Sequence, residues 1–287
     1  MPRFLRVGAP GKERPAVVAA DNSIRDLSAH IPDLAGEHLG PAVFAKLAKL
    51  DALQLPKLDA GLRVGPCVAG TTNFIAIGLN YFDHAREVGM EPPKEPILFN
   101  KAPSCIVGPD DDVVIPLGSK STDWEVELAV VINQDCSEVS KAQALEFVAG
   151  YCICHDVSER DSQINRGGQW VKGKSYKTFG PLGPWLVTPQ DSAGINAARL
   201  WLEVNGKTMQ DGNTNQMIFP VADIVSYVSQ FMLLRAGDVI TTGTPKGVGL
   251  SRKPPRYLTE GDSVRLGIDG LGIQRQRMIA HPAAGTS

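Results

Sequence analysis

From Phe74 onward the chain falls into short apolar runs separated by Gly, Pro, Asn and Asp: FIAIGLN, PILFNK, DVVIP, WEVELAVVI, GYCICHDV, LWLEV, DVITTG and SVRLGI. Short runs rich in β-branched and aromatic residues, bounded by turn formers, predict strands. Asn205-Gly206 and Asp269-Gly270 each divide two such runs, and both dipeptides favour the positive backbone angles of a tight hairpin. Helical patterning is scarce. It is clearest at Ser140–Val148, where Ser140 and Gln143 have the spacing of a capping box, and at Val221–Phe231. Before Phe74, Phe4–Val7 and Pro15–Ala19 predict strands, and Ala42–Leu50 a short helix ahead of a stretch containing Pro56 and Pro66. This pattern predicts a β-rich α+β fold with a small N-terminal α/β domain over residues 1–70, a large domain over 71–281 and a tail at 282–287.

Composition narrows the function classes. A chain of 287 residues with 43% hydrophobic and 21% charged residues can bury a sizeable core. Its 29 basic and 31 acidic residues nearly cancel, which argues against a general nucleic-acid or anionic-membrane binder, so an anionic substrate must be recognised locally. Neither a secretory signal nor an apolar stretch of transmembrane length is visible. Five scattered cysteines without CxxC pairs predict buried, reduced thiols in a cytoplasmic protein rather than a zinc ribbon.

Candidate chemistry concentrates in DWEVELAVVI. On a strand, Glu125 and Glu127 share a face, about 6.6 to 6.8 Å apart along it. The continuing apolar run predicts an interior strand, and a buried carboxylate pair needs a compensating cation. A second run, Tyr151–Cys154, delivers Asp156 where strand gives way to a polar segment. Three carboxylates suit a hard ion, Mg2+ or Mn2+, rather than zinc. The competing reading places Glu125 and Glu127 on a solvated face paired with surface lysines. Alternation turns His155 away from Asp156, so it is expected to be a packed, hydrogen-bonded histidine.

GQWVKGKS, from Gly168 to Ser175, formally matches the phosphate-loop pattern, but it follows a polar segment and precedes TFGPLGP, which cannot begin a regular helix. What survives is Lys174, either a partner for a substrate oxyanion or an exposed lysine. TTGTPKGVG, from Thr241 to Gly249, is a glycine-rich loop after a strand whose N–H groups can approach an anion closely, or simply a tight turn. His84 and Glu87 meet if their segment forms a helical turn, and a carboxylate-oriented imidazole can act as a general base.

Taken together, GLNYFDHAREVG, PILFNKAPSCIVGP, DWEVELAVVI, YCICHDVSERDSQ, GKSYKTFGPLGPW and GDVITTGTPKGVG resemble the fumarylacetoacetate hydrolase family over roughly residues 70–280. The resemblance implies a mixed β-sandwich roll, a bound Mg2+ or Mn2+ on Glu125, Glu127 and Asp156, and catalytic roles for His84, Glu87 and Lys174. It further implies substrate contacts from Arg86, Gln169 and Thr244, a lid over Tyr81–Met90, and a homodimer or dimer of dimers. The N-terminal module and the VSERDSQINRGGQWVKGKS string are similar to bacterial hydrolases of 2,4-diketo-3-deoxy sugar acids such as L-fuconate and rhamnonate derivatives, which implies a small 2-oxo acid substrate. Acylpyruvate hydrolases, oxaloacetate decarboxylases and hydroxyhepta-diene-dioate isomerases of the same family are the alternatives. A metal-stabilised binding protein is the non-enzymatic one.

Overall fold

The computed structural model describes residues 2–285 and is sheet-dominated α+β. The larger sheet runs, edge to edge, through Ile24–Asp26, Arg14–Val18, Arg3–Val7, Gly180–Val187, Val148–His155, Val126–Ile132, Val239–Thr241, Phe74–Gly78 and Ile97–Lys101. Its central strands, Val126–Ile132 and Val148–His155, are buried along their whole length, which explains why they read as continuous apolar runs rather than alternating ones. The smaller sheet centres on Arg199–Val204, Ser263–Ile268 and Gly272–Ile279, and packs across the middle of the larger one. One core fills the space between them, with Leu128, Val130, Leu200, Leu202 and Leu266 from both sides. The N-terminal strands join the same sheet through the pairing of Phe4 with Leu186.

Most predicted elements stand where the sequence places them. Asn205 (φ 52°) and Gly206 (φ 74°) make the tight turn between Arg199–Val204 and Lys207–Asn213, whereas at Asp269-Gly270 only the glycine turns positive, at 81°. The helix expected at Ser140–Val148 does not form. Ala144–Phe147 make one 3-10 turn, and Val148 already opens the strand that ends at His155. Ser140 Oγ donates to the Gln143 side chain instead of capping a backbone N–H, and Leu145 is exposed, so no apolar stripe is buried. Ladder bonds to two neighbouring strands outweigh the local helical signal there. Of the expected tail, Pro282–Gly285 form a short 3-10 turn, while residues 286 and 287 lie outside the described residues. All five cysteines are free and buried, and no helix among the described residues is long and apolar enough to cross a membrane.

Candidate active site

The site is fixed first by register. Cys154 pairs with Glu127 and His155 with Val126, and the Asp156 N–H donates to the Glu125 carbonyl (3.0 Å), so the antiparallel strands bring all three carboxylates to one end. Oxygens of Glu125, Glu127 and Asp156 lie within 4.8 Å of one another, and all three residues are buried. The next side chain turns the other way: His155 is fully buried, with Nδ1 3.1 Å from Gln276 Oε1.

Buried cations hold this cluster together. Lys174 Nζ lies 2.7 Å from both Glu125 Oε2 and Asp156 Oδ2. Lys101 Nζ, at the end of its strand and fully buried, donates to Asp156 Oδ1 (2.6 Å) and to the Lys174 carbonyl. Arg160 Nη2 sits 2.7 Å from Glu125 Oε1, and Arg160 Nε donates to Asp123 Oδ2 (2.8 Å). Lys101, Arg160 and Asp123 carry no candidate role in the sequence. Their signal is visible only afterwards, as charged residues bordering apolar runs, because each partner lies tens of residues away. The solvated-face reading of Glu125 and Glu127 fails, since their surroundings are buried rather than wet.

The two glutamates differ. Burial works against charge on Glu125, but Lys174 and Arg160 hold its carboxyl below the usual range. Burial, followed by the charges of Asp156 and Glu125, pushes Glu127 well above it. The hydrogen bond found for the Glu127 side chain comes from the Gly243 N–H (2.8 Å). Four buried carboxylates, including Asp123, thus face three buried cations, and Glu127 is the one left without an ion pair among the described residues. An all-oxygen cluster with one underneutralised carboxylate fits a hard divalent cation.

The glycine-rich loop after Val239–Thr241 does bind anions, but they are the protein's own carboxylates. Gly243 donates to Glu127, Gly247 to Glu87 (2.9 Å) and Gly249 to Asp123 (2.7 Å). Gly247 has φ 106°, and a Cβ there would stand 2.1 Å from the Met209 carbonyl, so only glycine allows that approach. Thr244 is buried. Its hydroxyl donates to the Val126 carbonyl (2.9 Å) and accepts from Gln210 (2.8 Å), a residue of the smaller sheet.

His84 and Glu87 lie on the helix Phe82–Glu87, with His84 Nδ1 3.1 Å from Glu87 Oε2. Partial burial raises the Glu87 carboxyl, but hydrogen bonds from His84 and the Gly247 N–H bring it below its ordinary value. A cavity of about 230 Å3 connects His84 with Glu125, Glu127, Arg160, Lys174 and Thr244. Arg86 and Gln169 are exposed and do not line it. The nearby polar side chain that does is Gln163, on the π-helical turn Asp161–Asn165, accepting from Arg160 Nη1 (2.9 Å).

Residues 73–279 match the family model described as fumarylacetoacetate (FAA) hydrolase C-terminal. A Burkholderia multivorans protein whose name provisionally places it among the hydrolases is 55% identical over 96% of this chain and 98% of its own length. Among solved structures, the fumarylacetoacetate hydrolase of psychrophilic Exiguobacterium antarcticum is 34% identical (TM-score 0.87), covering 98% of this chain and 100% of that one. The 2-hydroxyhepta-2,4-diene-1,7-dioate isomerase of Mycobacterium marinum is 29% identical (TM-score 0.76), covering 98% and 100%.

Proposed function

The chain belongs to the fumarylacetoacetate hydrolase family, and from that premise we propose that it hydrolyses a carbon–carbon bond of a small 2,4-diketo acid. A 2,4-diketo-3-deoxy sugar acid would yield pyruvate and a hydroxy acid such as lactate. One observation carries the reading: Glu125, Glu127 and His84 line one cavity, with Asp156 in the same buried carboxylate cluster and Glu87 bonded to His84. Glu125, Glu127 and Asp156 would hold Mg2+ or Mn2+, whose chemistry when bound is Lewis acidity toward the 2-oxo acid end of the substrate.

The protein's own groups account for the proton transfers. Glu87, ionised, holds the Nδ1–H of His84, leaving Nε2 free to take a proton from water that adds to the C4 carbonyl. The C3–C4 bond then breaks with its electron pair passing to C3, and the His84 imidazolium returns the proton there to give pyruvate. Lys174 and Arg160 stabilise developing negative charge on the substrate, a role in which loss of one donor costs roughly 2.7 to 4 kcal/mol. Likeness to an isomerase favours a second reading, in which the same acid–base pair moves a proton without attacking water.

A panel of 2,4-diketo acids, acylpyruvates and oxaloacetate with added Mg2+ or Mn2+ separates these readings. Pyruvate release together with a carboxylic acid supports hydrolysis. Carbon dioxide release from oxaloacetate alone, or isomerisation of a hydroxydienoate without cleavage, overturns it.

A further inference from the structure

The cavity changes character over a short distance. Its polar side chains, His84, Glu125, Glu127, Arg160, Gln163, Lys174 and Thr244, sit on the carboxylate side, and the cations among them already face Glu125 or Asp156. The remaining wall is hydrocarbon: Met90, Ile97, Phe99, Ile164, Trp170 and Leu250 among others. Phe99 joins the two sides, with its ring 5.2 Å from Lys174 Nζ and 5.2 Å, edge on, from the Trp170 ring.

Trp170 is seated by a specific absence. Gly78 ends its strand opposite Ile97, and a Cβ at Gly78 would lie 2.5 Å from the Trp170 ring. The glycine therefore lets the indole rest against strand backbone, and side-chain carbon continues from there to the mouth. At the mouth Met90 and Ile164 remain 55% and 50% exposed, apolar surface that a substrate of matching chemistry would cover.

Resting on the hydrolase reading above, we propose that the cavity selects a 2,4-diketo acid with one carboxylate and an apolar, alkyl-terminated far end, and that Trp170 on Gly78 is the specificity-determining contact. A second carboxylate at the far end would be desolvated against this wall, which itself carries no cation, and that is costly. A methyl or alkyl end instead removes apolar surface from water on both partners.

Binding of 2-oxohexanoate and 2-oxoadipate, equal in chain length, tests this by calorimetry on the Mg2+-loaded full chain without requiring turnover. The wild type should bind 2-oxohexanoate about tenfold or more tighter. Trp170→Ala should erase most of that preference and leave pyruvate binding unchanged, while Trp170→Lys should turn the preference toward 2-oxoadipate. Trp170 is partly exposed on a surface turn, so both variants are expected to fold, which thermal melts check directly. Equal affinities, stronger binding of the diacid, or no binding of either compound overturns the proposal. A diacid preference removed by Arg86→Ala would assign the far end to that exposed arginine instead. A 2-oxohexanoate preference without cleavage of any diketo acid would leave the apolar wall standing and remove the hydrolase reading.

Discussion

At the floor of the cavity Glu125 and Glu127, with Asp156 in the same cluster, are buried and fixed by strand register, and Glu125 and Asp156 are tied to Lys101, Lys174 and Arg160. At its rim His84 and Glu87 stand on a six-residue helix, and Glu87 reaches the rest of the protein through the Gly247 N–H. The floor is over-determined: removing any one of Glu125, Asp156, Lys101, Lys174 or Arg160 leaves another charge in a low-dielectric setting short of a partner. The rim is held by a few bonds near solvent. The difference teaches that the carboxylate half of the site, proposed to hold the metal, is part of the fold's stability, whereas the His84–Glu87 half, proposed to transfer protons, is nearly separable from it.

The sharpest test of that contrast is Lys101→Met. Losing this ammonium leaves Asp156 buried with one partner fewer, and breaking such a pair costs about 3–5 kcal/mol. Chemical denaturation should show the loss, and equal stability of variant and wild type would break the claim that floor and fold are one. His84→Ala should do the reverse: diketo-acid cleavage should fall about 10²- to 10⁴-fold, while unfolding free energy stays within about 0.5 kcal/mol. A large stability loss would move His84 to the floor's side of the comparison.

Adding Mg2+ or Mn2+ at a hundred times its dissociation constant should stabilise the wild type by about 2.7 kcal/mol. Glu127→Gln should show a smaller increment, although its metal-free form should melt no lower than the wild type, since Glu127 is the carboxylate pushed up by burial and by Asp156 and Glu125. The smallest effect is expected from Glu87→Gln across pH. Because the folded Glu87 carboxyl lies below its ordinary value of 4.5, its contribution to stability is complete above that pH and lost as pH falls through the folded value. Melting curves of wild type and variant should therefore converge toward acid. A gap that stays constant would show that Glu87 acts through packing alone.

Local pattern made part of this legible. Alternation put Glu125 and Glu127 on one face, the strand end delivered Asp156, and the spacing of three made His84 and Glu87 neighbours. Long-range neutralisation was not legible. Nothing around Lys101 announces Asp156, 55 positions away, and nothing around Asp123 announces Arg160, 37 away. The spurious helix at Ser140–Val148 fails for the same reason, because the strands flanking Val148–His155 lie elsewhere in the chain. Gly78 reads as an ordinary strand-end glycine until Trp170 is seen resting on it.

The register that gathers the three acids has a consequence for how the protein can change. Glu125 and Asp156 lie at the open end of an antiparallel pair whose connection, residues 133–147, leaves from the opposite end, roughly 20 Å away for strands of this length. Lengthening that connection would add little closure entropy and would not shift the pairing of Glu127 with Cys154. The back of the molecule is thus a place where sequence can be inserted, borrowed or exchanged between lineages while the chemistry at the front is inherited intact.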